Sequence, residues 1–318
     1  YGDHRDLHVR SRRQRQMCIR DSHVCERLSF SKDTSLSFVA PRSREYDLRN
    51  STDTQVLFSD FEPNVVIHLA ATCGGIQANQ RNPGRYFYDN MLMGMNIIEQ
   101  SRLHNVDKFI FVSTVCAYPK YCKVPFMEYD IWKGYPEETN APYGIAKKSL
   151  QVMLDAYNKE YGLKSITLIP ANLYGPNDNF DEEKSHVIPA LIKKIYSAKK
   201  NKENIIKVWG DGSATREFLY VKDAAEAIRL SIDLDYDSNY VNLGTGTDIS
   251  IKDLVSLLCE LMEYDGEIVW DYSKPNGQPK RQLAVNKAKN LLGWQSKITL
   301  EQGLKETIGW YESNNPLY

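Results

Sequence analysis

Apolar and polar positions settle into a regular rhythm from Val65 onward. VVIHLA (65–70) is a short, mostly apolar run of the kind that fills a strand buried on both faces. GRYFYDNMLMGMNIIEQSRLHN (84–105) places its apolar residues at helical spacing, and KFIFVST (108–114) reads as a second buried strand. YGIAKKSLQVMLDAYNKEYG (143–162) is an amphipathic helix closed by Gly162, and SITLIPANLYG (165–175) is a strand running into a loop. Strands alternating with helices of this length predict an α/β fold of the Rossmann type, a doubly wound parallel sheet. Past Asn172 the rhythm loosens. The segments 186–198, 222–232 and 251–262 predict helices, 207–221 a short hairpin, and 267–285 an extended, loop-rich stretch. We therefore expect a nucleotide-binding domain over 22–172. A smaller substrate lobe over 173–318 is expected to interleave with the last strands of the sheet. Upstream, SHVCERLSF (22–30) predicts the first helix and SLSFV, ending at Val39, the second strand.

Composition narrows the class. The 318 residues carry a net charge of -1, with 42% hydrophobic and 25% charged residues, ordinary for a globular protein. Near-neutral charge argues against nucleic acid as a partner, and no apolar run reaches the roughly 20 residues that span a bilayer. The six cysteines are scattered, with no CxxC and no His/Cys cluster. They predict neither a disulfide framework nor a metal site, and suit a reducing cytoplasm.

The candidate chemistry begins at Tyr143-Gly-Ile-Ala-Lys147. On a helix this spacing puts both side chains on one face, one turn apart. The lysine ammonium favours the ionised phenol, and the tyrosine can exchange a proton with a carbonyl or alcohol. The spacing alone is common in proteins. Here a hydroxyl-bearing strand end, VSTVCAYP (112–119), precedes it and PANLYGP (170–176) follows.

Strand, hydroxyl, YxxxK helix and NLYGP in this order resemble the extended, sugar-nucleotide branch of the short-chain dehydrogenases/reductases. HLAATCGGIQAN (68–79), STVCAYPK (113–120), PYGIAKK (142–148), NLYGPNDNF (172–180), SHVIPALIKK (185–194), VWGDGSATREFLYV (208–221) and SKPNGQPKR (273–281) together resemble the GDP-L-fucose synthase family. The resemblance runs from about Ser22 to near the C-terminus. It implies NADPH-dependent 3,5-epimerisation and 4-keto reduction of GDP-4-keto-6-deoxy-D-mannose. Tyr143 would be the acid at C4, Lys147 its support and a ribose contact, and Thr114 the hydroxyl beside them, where the family carries serine. Ser113 is the neighbouring alternative. Cys116 and His186 match the pair that inverts C3 and C5. A thiol and an imidazole have reference values of roughly 8.5 and 6.5, within reach of neutral pH.

The resemblance also implies binding groups. Asn172, His186, Lys194, Trp209, Arg216 and Arg281 would contact the GDP-sugar. Arg216 and Arg281 are suited to bidentate phosphate contacts, and Lys194 supplies charge without the fork. Ala70, Gly74, Pro170 and Leu173 would lie along the cofactor with Tyr143 and Lys147. Arg42 and Arg44 would meet the 2′-phosphate of NADPH. An NAD-specific site would instead carry an acidic residue near Ala40 or Pro41. Gly74 and Gly75 let backbone approach a ligand, or serve only a turn. Asn90 reads as a structural link between helix and sheet. A homodimer formed through the helices beside YxxxK follows from the same resemblance.

The start does not fit this picture. Where the fold needs a strand and a GxxGxxG turn, the chain has VRSRRQRQMCIRD (9–21), and Gly2 is the only glycine before Ser22. A basic arm or a transit peptide could give such a run. RRQRQMCIRDS resembles translated adapter or junction sequence, and residues 1–21 are expected to be foreign to the fold. The first strand and glycine loop would then be missing or replaced, and weak NADPH binding would follow. The alternatives to the main reading are another NDP-sugar epimerase, dehydratase or reductase, or a catalytically impaired sugar-nucleotide-binding remnant.

Overall fold

The computed structural model describes residues 19–29, 37–181, 184–274 and 276–315. The expectation for residues 1–21 falls mainly on 1–18, which lie outside the described residues, as do positions 30–36. The first described helix, α1 (Ile19–Ser29), begins three residues before Ser22. It lies against α7 (Val221–Asp233) and is tied there by an ion pair between Arg27 and Glu226.

A parallel sheet forms the frame. Its strands are β1 (Val65–His68), β2 (Lys108–Val112), β3 (Ser165–Pro170) and β8 (Ser238–Leu243), in the order β1-β2-β3-β8. The register pairs Val66 with Phe109, Ile110 with Ile166, and Leu168 with Val241. The period-two alternation of β2 explains why both faces are covered. Phe109 and Phe111 join Leu57 and Phe58 of α2 (Ser51–Phe61), Ile97 and Ile98 of α4 (Pro83–Leu103), and Leu150 and Leu154 of α5 (Ala141–Tyr161) in one core. Ile110 and Val112 face the other way, toward Val24 of α1, Ala224 and Ile228 of α7, and Leu292 of α9 (Asn286–Leu292). β2 and β3 read as continuous apolar runs because they are covered on both faces. At Gly94 of α4 a Cβ would overlap the Leu150 side chain, so glycine lets α4 and α5 pack at close range. Gly162 ends α5 in the left-handed region at φ 75°, donating its N–H to Asn158 O.

The C-terminal region builds a third core. It joins α6 (Val187–Asn201), β5 (Ile205–Trp209), α8 (Ile251–Leu261) and α10 (Leu300–Asn314). β4 (Asn172–Tyr174) leads into it, and β8 returns the chain to the main sheet.

Two expectations about elements need correction. The segment 207–221 is not a hairpin. Its parts find three different partners: β5 pairs in parallel with β10 (Glu267–Asp271), β6 (Thr215–Arg216) pairs antiparallel with β9 (Ile249–Ser250), and β7 (Phe218–Tyr220) pairs in parallel with β4. Gly210 and Gly212, at φ 79° and 77°, turn the chain without folding it back on itself. The buried Glu217 carboxylate then accepts the N–H groups of Thr245, Gly246 and Leu283, binding the segment to distant loops. Nor is residue range 37–40 a strand. Phe38 and Val39 are exposed, and among the described residues no ladder pairs with them. Among those residues β1 is likewise an edge strand. No helix among them is long and apolar enough to cross a membrane. The short α3 (Ile76–Arg81), which follows the Gly74-Gly75 turn, completes the frame around the site.

Candidate active site

A cleft of about 2540 Å³ runs along β1 and past the C-terminal ends of β1, β2 and β3. Open α/β sheets bind ligands at these ends. Every site residue marked from sequence except Lys147 lines its wall: Arg42, Arg44, Ala70, Gly74, Thr114, Cys116, Tyr143, Pro170, Asn172, Leu173, His186, Lys194, Trp209, Arg216 and Arg281. Lys147 is fully buried beneath the tyrosine's helix, where its Nζ donates to Val112 O at 3.3 Å and stands 4.8 Å from the Phe111 ring centre.

Gly144 explains how Tyr143 meets the β2 terminus. A Cβ there would overlap the Cys116 carbonyl oxygen, so the start of α5 lies directly on the 3-10 turn Val115–Ala117. Gln151, further along α5, donates to Ser113 Oγ at 2.8 Å, with both residues buried. Ser113 Oγ is thereby engaged by α5, although the residue also lines the cleft. Thr114 caps the 3-10 turn, its Oγ1 accepting from Cys116 N at 3.2 Å. Thr114 is the more exposed of the two hydroxyl residues.

His186 is the N-cap residue of α6, yet its side chain makes no capping hydrogen bond and is exposed to the cleft. The loop before it is held by backbone contact: Gly75 N donates to Lys184 O at 3.1 Å, and a Cβ on Gly75 would stand 2.6 Å from Ser185 O. The Gly74-Gly75 turn is fixed in its own right, because Asn79 Nδ2 donates to both glycine carbonyls, at 2.8 and 3.1 Å. Asn90 exchanges hydrogen bonds with the Thr72 backbone at 3.1 and 2.8 Å, the structural role expected of it. The glycines thus carry a packing duty, and their neighbours hold a turn whose backbone faces the cleft.

The far wall is cationic. Arg216 donates to the carbonyls of Thr215, Gln278 and Asn276, and Arg281 donates to Gln278 Oε1 and Cys116 Sγ. No carboxylate among the described residues forms an ion pair with either guanidinium. Burial first, then the Arg281 charge, pushes the Arg216 guanidinium down to about 9. Two like charges held together largely out of water are relieved by an anion, and a diphosphate has the charge for it. Trp209 projects from the exposed face of β5 with Lys274 Nζ 5.3 Å from its ring centre, and Lys194 Nζ donates to Lys207 O at 2.6 Å. Asn172 Nδ2 donates to Glu217 O at 2.9 Å, which ties part of this amide to the fold. At the opposite end, Arg42 and Arg44 flank a turn closed by Glu45, Arg44 Nε lying 3.2 Å from Glu45 Oε1.

A family model described as the NAD dependent epimerase/dehydratase family matches residues 2–244. The chain belongs to this family. Among its relatives, a GDP-L-fucose synthase 1 of Arabidopsis thaliana is 38% identical over 270 residues, covering 85% of this chain and 83% of the relative. A GDP-L-colitose synthase of Yersinia pseudotuberculosis is 35% identical over 292 residues, covering 91% and 94%. The crystal structure of a GDP-L-fucose synthetase from Naegleria fowleri bound to NADP superimposes with a TM-score of 0.81 at 27% identity, covering 93% of this chain and 90% of that one.

One cleft group of this epimerase/dehydratase family member escaped the sequence reading. Asp178, in the NDNF segment, has Oδ1 accepting from Asn179 N at 2.7 Å, while Oδ2 is sealed from solvent without a hydrogen-bond partner. Burial pushes its carboxyl up to about 7. Its motif was visible in the sequence. Its desolvation depends on the fold of the chain over 175–181 and was not.

Proposed function

We propose that this chain converts GDP-4-keto-6-deoxy-D-mannose to GDP-L-fucose by 3,5-epimerisation and 4-keto reduction, using NADPH. The observation that carries this reading is the convergence of Thr114, Cys116, Tyr143 and His186 on one cleft that also holds two guanidiniums without carboxylate partners. Relatives named for GDP-L-fucose synthesis support the substrate, and the NADP-bound structural neighbour supports the cofactor.

The residues present suit the two ends of such a cofactor, while the sequence before Ser22 offers no glycine-rich turn for its pyrophosphate. The Gly74-Gly75 turn offers backbone at close range, and Arg42 and Arg44 supply charge for a 2′-phosphate. When bound, NADPH supplies the hydride that reduces C4. The protein's part is proton handling. Cys116 and His186 approach from different elements, the end of β2 and the start of α6. One removes the proton α to the C4 ketone and the other delivers a proton to the opposite face, at C3 and at C5. Tyr143 then donates its proton to the C4 oxygen, with Thr114 hydrogen-bonded to the same oxygen. Lys147, one helical turn on and buried, fixes the helix against β2 and would support the phenol from below. Arg216 and Arg281 take the diphosphate, and Trp209 walls the guanine side.

The test is turnover of the keto sugar with NADPH in D2O. GDP-L-fucose bearing solvent deuterium at both C3 and C5 is expected, whereas consumption of NADPH without exchange at both carbons refutes the assignment. A second substrate reading comes from the relative named GDP-L-colitose synthase: a close deoxy analogue of the same keto sugar. Competition between the two keto sugars decides between them.

We also propose a homodimer in the cytoplasm. Tyr88 and Met95 on α4 and Val152 on α5 are 62%, 41% and 53% exposed, forming an apolar surface on adjacent helices that a second copy can cover. Sedimentation should give a dimer, and Val152→Glu should shift it to monomer. A monomeric parent protein refutes the dimer.

A further inference from the structure

Arg281 occupies an unusual position between two parts of the cleft. It is 6% exposed, and its Nε donates to Gln278 Oε1 at 2.7 Å. Gln278 is itself 1% exposed and anchored through Nε2 to the carbonyls of Pro119 and Lys120, at 2.9 and 3.0 Å. The guanidinium is therefore aimed by a fixed amide. Its Nη1 reaches Cys116 Sγ at 3.6 Å, while the side chain also lines the cleft. Arg216 differs: its two terminal nitrogens are occupied by backbone carbonyls of Thr215, Gln278 and Asn276, and none of these hydrogen bonds goes to the sulfur.

We propose that Arg281 is a positioning residue for Cys116, holding the sulfur through Nη1 while its outward N–H groups take the substrate diphosphate. The inference rests on the epimerase-reductase reading above and extends it. One rigid side chain then links the anchored end of the substrate to the group that moves a proton on its sugar. In the exchange, a C–H bond adjacent to the C4 ketone breaks. Its electron pair passes to the carbonyl oxygen as an enolate, and the proton goes to sulfur or imidazole. A new C–H bond then forms on the opposite face with a proton from the other group, with no net oxidation. In either assignment Cys116 passes through a thiolate, which accepts a charged N–H donor more strongly than a thiol does. Orientation matters at this scale, since a displacement of about 1 Å can cost about 100-fold in rate.

The test uses the full chain with Arg281→Met and Arg281→Lys. The first readout is iodoacetamide alkylation without nucleotide, with the adduct at Cys116 quantified by peptide mass spectrometry. The second is deuterium exchange at C3 and C5 of the keto sugar at saturating concentration with NADP+ bound, and the third is the Kd for GDP. We expect Arg281→Met to slow Cys116 alkylation at least about fivefold and saturating exchange at least about tenfold. Arg281→Lys should retain GDP binding within about threefold while still slowing alkylation, because lysine keeps charge but not the fork. If both variants weaken GDP yet leave alkylation and saturating exchange within about twofold of the parent, Arg281 is a phosphate contact only and the proposal is overturned. If Arg281→Met does not fold, as judged by circular dichroism, the lysine variant decides by the same criteria. A parent protein that exchanges neither carbon refutes the proposed function, while the alkylation comparison still reports on the Arg281–Cys116 contact.

Discussion

Replacing Asp178 by asparagine should change the pH dependence of stability more than stability itself. The carboxyl lies at about 7 in the folded protein, against a reference value of 3.8, because burial disfavours its charge. Between those values the folded state keeps a proton that the unfolded chain has released. Stability therefore falls as pH rises through this window, and above about 7 the loss is complete. From about pH 5 to about pH 8 two units of the shift are traversed, worth ~3 kcal/mol at 1.36 kcal/mol per unit. This is an upper bound, because Oδ2 is sealed while the residue as a whole is half-buried, and water near the rest of the side chain relieves part of the cost. An asparagine can still accept from Asn179 N but does not ionise. Its amide would place a donor in a buried position at a cost of about 1–3 kcal/mol, equal at every pH. The assay is denaturant unfolding of the parent and the Asp178→Asn variant at several pH values. The difference between them should move in favour of the variant as pH rises, by up to ~3 kcal/mol. A difference constant from about pH 5 to about pH 8 would sink the reasoning, since only the ionisation varies with pH.

Three further outcomes can be checked. Gly144→Ala forces a Cβ onto the Cys116 carbonyl and should destabilise by about 1–3 kcal/mol, with a larger loss of turnover as Tyr143 and Cys116 move apart; wild-type turnover would contradict the close approach. Tyr143→Phe should lower C4 reduction by about 10²–10⁴ while C3 and C5 exchange persists, measured as NADPH oxidation against deuterium uptake; equal loss of both would remove Tyr143 from the acid's role. Arg42→Ala combined with Arg44→Ala should reduce the preference for NADPH over NADH by at least about tenfold in kcat/KM, and an unchanged preference would place the 2′-phosphate elsewhere.

The parallel sheet was legible because its strands β2 and β3 are buried on two faces, and the apolar runs KFIFV and SITLIP report that directly. The YxxxK pair was legible because helical spacing is local. Its division of labour was not: the same spacing that puts Tyr143 on the cleft wall sinks Lys147 against Val112 O, and only the tilt of α5 on β2 sets that depth. The hairpin expected over 207–221 failed for a related reason. Two glycines mark turns, but the partners of β5, β6 and β7 are chosen by strands and loops dozens of residues away. The Arg281–Cys116 contact joins residues 165 positions apart and leaves no local periodic trace.

The sequence motifs and the geometry nevertheless meet at backbone contacts. Gly75 lies against the Ser185 carbonyl, one residue before His186, and Gly144 lies against the Cys116 carbonyl, one residue after Tyr143. Each glycine sits where two segments bearing proposed proton-transfer groups, or a turn facing the cleft, come within a side chain's thickness. Neither has a positive φ that would call for glycine on conformational grounds. Their requirement is one of approach distance between main chains. An added methyl at either point must move a backbone, so it displaces His186 or Cys116 along with its whole segment. A loss at these positions should therefore fall on proton exchange before it falls on the fold, because the surrounding cores of β2, α5 and α6 are closed by other residues. In this reading the glycines of GGIQAN and PYGIAKK set the spacing of the reactive groups, and the titratable residues work only at the separation they permit.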